Sequence, residues 1–550
     1  MNKEIKYTLV LITGIILLNI LSQSFYKRFD LTKDKRYTLS KTSEKIISKI
    51  TENLFITIYL EGDFPPEFKR LQIESSQFLE ELTALNSNII VNFESPDNQR
   101  EELIKKGMVP SQLTVQEVGG KLSEAIIFPW ASINYKNKSK IVFLLPNAVQ
   151  PSGEEQIKKA IENLEYNFIN AINSIIIKKE QKIALLSGNG ELDDIYLYSF
   201  LSEVSKKYKL AKFTLDSVAK NPQNTLKDIT EFDLVIIAKP SEKFTEKEKF
   251  TLDQFITNNG KTLWMIDNVI ADQDSLLATG KMLAYPRELN LTDLLFSYGI
   301  RINTSLIKDL YAAKIPVATG MIGNQTQFKN LDWFFHPLAG GNPNHPITKN
   351  ISPVRFQFTN QIDTLKNKIK KTPLLISSVL TQKLGIPNFI ELQSIADKPK
   401  ESDYNSGNQL LAVLLEGDFK SAYKNRSQPF KTSLYKEYSN NNKMIVIADG
   451  DVGKNQILKK EPYDLSRDKW TNEQFGNKDF LLNTIDYLLD DTGLIQLRNK
   501  SLQINILDKQ KAFKEKFFWQ FLNVTLPIVL LLIFGLLFKI VRKKKYSTQN

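Results

Sequence analysis

Residues 182–191 read KIALLSGNGE. Lys182 to Leu186 is a short apolar run, Ser187 to Glu191 is a turn, and Leu192 to Tyr208 continues as a helix. The same alternation returns downstream. Asp233 to Ala238 (DLVIIA) reads as a strand, Thr245 to Asn259 as a helix closed by Gly260, and Thr262 to Ile266 (TLWMI) as a strand ending at Asp267. Met444 to Ala448 (MIVIA) resumes the series and ends in Asp449-Gly450-Asp451, with a helix over Asp479 to Leu489. Continuous apolar runs alternating with helices predict a parallel sheet covered on both faces. Residues 179–500 are therefore expected to form a doubly wound α/β lobe with an insertion at about 300–440. Glu288 to Ile300, Leu374 to Ser378 and Leu410 to Leu415 fall to the insertion or a subdomain, and polar Lys398 to Asn408 to a mobile loop.

Upstream, Ser40, Thr42 and Ser43 precede Ile46, Ile47 and Ile50, which suits a capped amphipathic helix. Leu54 to Leu60 reads as a strand, Leu71, Phe78, Leu82 and Leu85 recur at helical spacing, and Ile89 to Phe93 is a second strand. A short helix near Arg100 to Lys106 follows. Glu124 to Trp130 and Ile133 to Leu145 then read as paired strands around a turn at Asn137. Strand, helix, strand, helix, hairpin is the order of a thioredoxin-like lobe, assigned to residues 27–178 with a connecting helix at Glu154 to Ile177. Ile157, Ile161, Leu164, Phe168, Ile172 and Ile175 give that helix one apolar face, expected to pack between the lobes.

Phe517 to Phe538 (FFWQFLNVTLPIVLLLIFGLLF) holds 22 residues without an ionisable side chain. As a helix it would be about 33 Å long, enough for a hydrocarbon core of about 30 Å. Lys539, Arg542, Lys543, Lys544 and Lys545 follow, and a basic cluster beside a span marks the cytoplasmic side. Tyr7 to Tyr26 is also free of charge and follows Lys3 and Lys6. It reads as an uncleaved signal anchor, with a signal peptide cut after Ser24 as the alternative. The expected topology has residues 1–6 and 539–550 inside, spans at 7–26 and 517–538, a juxtamembrane stretch at 501–516, and everything between 27 and 500 outside.

Composition excludes several function classes. Of the net charge of +12, the last twelve residues supply +5 and residues 1–6 supply +1, so residues 27–516 carry only +6 and nucleic acid is discounted. Absence of cysteine removes disulfides, thiolate nucleophiles and cysteine metal sites, and with only two histidines, His336 and His345, a conventional zinc site is hard to assemble. Gly450 to Asn455 (GDVGKN) lacks the spacing of a phosphate loop and has Asn455 where Ser or Thr would hold magnesium. Ser187 is not in a GxSxG elbow. No cofactor is expected.

Ligands of open parallel sheets sit beyond the carboxyl ends of the strands. Those ends carry Ser187, Gly188, Asn189, Gly190 and Glu191, then Asp267 and Asn268, then Asp449 and Asp451. One reading is a polar or cation-binding crevice built on Asp267, Asp449 and Asp451. The other is turn and cap chemistry, for which strand-to-helix connections need these same residue types.

RFDLTKDKRYTLSKTSEKIISKI, ITIYLEGDFPPEFKRLQ, the SGNGE turn and LNLTDLLFSYGIRINTSLIKDLYAA together resemble GldG, the gliding-motility-associated membrane protein of ABC-transporter type. The resemblance runs from the anchor to the C-terminal span. It implies a periplasmic auxiliary or substrate-binding-like subunit in the inner membrane, working with an ABC permease and a cytoplasmic ABC ATPase. It also implies that the doubly wound lobe, expected to be Rossmann- or flavodoxin-like, is similar to a domain of intraflagellar transport proteins and to sugar-binding or amidotransferase-like folds, and it brings no catalytic residues. Two other functions stay open: an anchored periplasmic hydrolase or carbohydrate-binding protein using the strand-end carboxylates, and a scaffold that binds a cell-envelope polymer.

Overall fold

The computed structural model describes residues 38–61, 66–116, 122–145, 153–176, 180–323, 325–500 and 509–546, with Tyr7, residues 11–15, Asp30 and Thr32. The expected N-terminal span at 7–26 and the cleavage position after Ser24 therefore lie largely or wholly outside the described residues. Tyr7 and residues 11–15 are helical.

Helix α1 (Lys41–Ile47) starts on Ser40, whose hydroxyl accepts from the Ser43 amide. The first sheet has the order β2-β1-β3-β4, from β1 (Leu54–Ile58), β2 (Ile89–Phe93), β3 (Trp130–Tyr135) and β4 (Lys138–Phe143). Only β1 and β2 are parallel. Helix α2 (Pro66–Leu85) connects them. The hairpin is offset from the expected one: Trp130 opens its first strand, and residues 122–127 pair instead with Ser111–Gln116. Pro129, which has no N–H to give a ladder, separates the two hairpins, and Lys136 takes φ 53° at the turn.

Helix α3 (Gly153–Ile176) buries its six apolar positions in a cluster that also holds Leu54 and Ile56 of the first sheet and Leu234 and Ile445 of the second. One core thus spans both lobes.

The second sheet has ten strands, counting the two-residue strand Val354–Arg355. Its parallel part comprises β5 (Lys182–Ser187), β6 (Lys209–Thr214), β7 (Leu234–Ala238), β8 (Lys261–Met265) and a later strand, β13 (Asn442–Ile447), in the order β6-β5-β7-β8-β13. The period-two alternation of strands divides these side chains cleanly. Ile183, Leu185, Ile236, Leu263 and Ile447 face one core cluster; Ala184, Leu186, Ile237, Trp264 and Val446 face the other. The first face is covered by α3, α4 (Asp194–Lys207) and a helix near the end of the body, Asn477–Leu489. The second is covered by α5 (Glu246–Thr257), whose Thr245 and Glu248 form a reciprocal cap.

Beyond β13 the sheet continues antiparallel through β12 (Leu410–Gly417), β11 (Lys370–Ile376), β10 (Gln325–Gly341) and β9 (Ala312–Ile322). Two stretches assigned to an insertion are therefore strands of the main sheet. Their apolar runs look like any buried strand, and only pairing, which acts between distant residues, reveals where they sit. The loop 398–408 is anchored, because Tyr404 is buried against Phe334. The Asn477–Leu489 helix, α6, closes the body. The last helix, α7 (Lys516–Tyr546), contains the 517–538 stretch, is exposed along its length, and is the one described helix long and apolar enough to cross a membrane.

Candidate functional site

Strands β7, β8 and β13 end side by side, and the next residues converge. Lys239 follows β7 at φ 55°, a left-handed conformation unusual for lysine. Its ammonium lies 2.5 Å from Asp451 and 3.5 Å from Asp267. Asp267 also accepts from the Gly450 amide at 2.6 Å. Asp449, fully buried, accepts from the Asp451 amide at 2.6 Å and from the Gln357 amide. A Cβ on Gly450 would come within 2.4 Å of Lys239 Cγ and 3.0 Å of its backbone, so only glycine lets the lysine cross here.

The electrostatics follow from burial. Loss of water raises the Asp449 and Asp267 carboxyls above the ordinary 3.8, and carboxylate repulsion adds to it, while Lys239 opposes the rise at Asp267. Burial alone would lower Lys239, yet Asp451, Asp267 and Asp449 together hold its ammonium above the usual lysine value. Each carboxylate has an internal partner, and among the described residues no group of three acidic or imidazole side chains is placed to hold a metal.

The SGNGE turn sits at the reversal of strand order, between β5 and β7. Ser187 Oγ donates to the Phe213 carbonyl at 3.3 Å, and a Cβ on Gly188 would meet Thr214 and Asp216. The Asn189 carbonyl accepts from the Ser241 and Glu242 amides at 3.0 and 2.9 Å, and the Gly190 carbonyl accepts from Ser241 Oγ at 2.8 Å. Glu191 accepts from the Asn189 amide at 2.8 Å, and burial pushes its carboxyl above the ordinary value. The turn is thus stitched to the start of the connection that follows β7. Asn189 Oδ1 and Glu191 Oε1 are buried without a donor.

The GDVGKN segment binds its own fold: Asn455 Oδ1 accepts from the Ser199 amide of α4 at 3.1 Å and its amide donates to the Ile195 carbonyl at 3.0 Å. Both imidazoles are held neutral by burial, His336 pushed down to about 3 and His345 to about 4. The structure therefore brings Asp267, Asp449 and Asp451 together, leaves Ser187 to Glu191 as a separate turn, and adds Lys239. Sequence gives one cue for Lys239, a lysine directly after an apolar strand and before Pro240; its left-handed backbone leaves no mark.

A model described as an ABC-type uncharacterized transport system matches residues 180–484, and one for a domain of unknown function matches residues 33–134. An uncharacterized protein of Borreliella burgdorferi is 22% identical over 533 residues, covering 94% of each chain. Among solved structures, the mmIFT52 N-terminal domain is 15% identical and aligns over 56% of this chain and 99% of its own, at a TM-score of 0.32. A putative ThuA-like protein from Parabacteroides merdae is 11% identical over 55% of this chain and 99% of its own, at 0.24. The transport-system model spans both the parallel core of the second sheet and its antiparallel extension, more than half of the sequence, and the chain belongs to this ABC-type transport system family.

Proposed function

We propose that this chain is a non-catalytic, membrane-anchored auxiliary subunit of an ABC transport complex, with both lobes in the periplasm and both termini in the cytoplasm. The observation that carries the reading is the family match over residues 180–484, joined in one chain to an exposed apolar helix with a basic end. The body has no nucleotide-binding loop, so ATP energy would come from a partner ATPase acting through a permease. Anchoring raises the effective concentration of the body beside that permease without a tight soluble complex.

Two further observations support it. First, the segments nearest the two membrane-directed ends meet at one residue of α3. Glu165 accepts from the Ser40 amide at 2.8 Å and from Lys500 Nζ at 2.9 Å, and Lys500 also donates to the Thr38 carbonyl at 3.0 Å. A chain tethered twice to one bilayer needs both exits on the same side. Second, the strand-end carboxylates are buried and already partnered, whereas a glycosidase pair must face a substrate in an open cleft. The parallel strand order 2-1-3-4-5 supports reading the second lobe as flavodoxin-like, beside a first lobe read as thioredoxin-like. The resemblance to GldG extends the proposal to a system serving surface gliding.

Co-purification of the detergent-solubilised protein at native expression level tests this. Permease and ATPase subunits are expected in the eluate; recovery of neither overturns the reading. Protease added to spheroplasts is expected to cut residues 38–500, and full protection of them would refute the topology.

A further inference from the structure

Where the lobes meet, β4 and α3 of the first and α4 and α6 of the second line a half-open cleft of about 640 Å3. A second, of about 390 Å3, shares Tyr166, Lys207, Tyr208 and Asp486 with it. This is the size and position typical of small-molecule sites, which favour domain interfaces.

Its walls are unevenly charged. Lys206 is paired with Glu203, and Lys207 with Asp486 at 2.8 Å. Three other cations have no carboxylate partner among the described residues. Lys138 donates to the Ile175 carbonyl at 3.0 Å. Arg498 donates to Asn483 Oδ1 at 3.0 Å and to the Lys349 carbonyl at 2.8 Å, both neutral acceptors, and lies 5.1 Å over the Tyr166 ring. Lys140, half-buried on β4, lines the larger cavity with neither a hydrogen bond nor an ion pair among them.

We infer that this interlobe cleft binds an oxyanion, a carboxylate or phosphate group of a small molecule, with Lys140 as its main counter-charge. An ammonium drawn partly out of water without a partner is unfavourable, and an anion reverses that cost. Burial pushes the Lys140 amine below its ordinary value, with Glu203 and Asp486 opposing and Lys206 and Lys207 adding to the fall. A ligand here would touch both lobes, whereas the carboxylate cluster at the strand ends involves only the second. The inference stands whether or not permease and ATPase are the partners.

Titration calorimetry on the full-length protein in detergent, with inorganic phosphate and succinate each exchanged against chloride at constant ionic strength, tests it. Saturable binding of either probe is expected. Phosphate alone identifies a phosphoryl ligand, and succinate a carboxylate. Lys140→Met should weaken binding by about tenfold or more, as loss of one charge-assisted hydrogen bond does, and Lys140→Arg should keep it within roughly threefold. Absence of saturation by either probe up to roughly 50 mM, or equal binding by Lys140→Met with an unchanged melt, overturns it.

Discussion

Lys239 and Lys140 carry the same head group in opposite circumstances. Lys239 sits among three carboxylates at the strand ends, with a glycine cut away to admit its side chain. Lys140 lines a cleft that also holds Glu203, Asp479 and Asp486, yet its ammonium forms no hydrogen bond or ion pair among the described residues. The first arrangement is closed: each carboxylate is paired or hydrogen-bonded within the fold, and Asp451 Oδ1 is left buried without a donor. The second is open and electrically incomplete. Acidic residues at the ends of parallel strands are thus not enough to mark a binding site; an unmet charge beside empty volume is the more informative sign.

The largest effect should come from breaking the closed region. In Lys239→Met three buried carboxylates lose their counter-charge, and removing one partner of a buried ion pair costs about 3–5 kcal/mol. A urea melt at pH 7 should show a loss of that order. The variant's deficit should shrink in acid. Asp267 and Asp449 have folded pKa values raised above the ordinary 3.8, so between those values the folded state holds more protons than the unfolded one. Stability from these groups is therefore present at low pH and lost as pH rises. A deficit that is constant from pH 4 to 7 would show that repulsion among the carboxylates is not its source.

Gly450→Ala comes next. The added methyl would stand 2.6 Å from Lys239 Cβ and 3.0 Å from its Cα, positions fixed by the strand end. Overpacking of this kind costs about 1–3 kcal/mol. A thermal melt should register it, and the double variant with Lys239→Gly should recover most of the steric part. Failure to recover would mean that Gly450 is needed for its own backbone conformation.

Much of this closed region was legible in the sequence. DLVIIA, TLWMI and MIVIA announce buried parallel strands, and the residues after each must lie on one edge of the sheet. That argument brings Asp267, Asp449 and Asp451 together without knowledge of tertiary structure. It cannot assign Lys239, because a left-handed lysine has no composition signal. The antiparallel half of the sheet was illegible for another reason: LLAVLLEG carries the same apolar run as a central parallel strand, and its direction is set by a partner some thirty residues away. The interlobe cleft could not be read at all. Lys140, Lys207, Asp486 and Arg498 are ordinary exposed-looking charges in the sequence, and they share a cavity only because α3 joins two lobes around it.

Glu191→Gln probes the turn between these extremes and should change stability by no more than about 1 kcal/mol. Its carboxyl is raised above the ordinary 4.5 by burial, so wild-type stability from this group is present below that value and declines as pH rises past it. Glutamine does not titrate, and it keeps an acceptor for the Asn189 amide. Wild type and variant should therefore converge near pH 4 and separate toward pH 7, with the variant relatively better at pH 7. The same separation at both pH values would assign the effect to packing.

The smallest effect belongs to the open region. Lys140→Met removes an ammonium that makes no hydrogen bond or ion pair among the described residues and replaces it with an apolar chain of similar length. Ile141, Val142 and Ile175 line the same wall, so an apolar chain there has apolar neighbours. Stability at pH 7 should therefore stay within about 0.5 kcal/mol of wild type, or rise slightly because a half-desolvated charge is gone. Next to a loss of several kcal/mol for the chemically identical change at Lys239, this separates a charge kept for the fold from one kept for something outside it. If Lys140→Met were as damaging as Lys239→Met, the cleft would be a structural seam between the lobes, and the contrast between the two lysines would collapse.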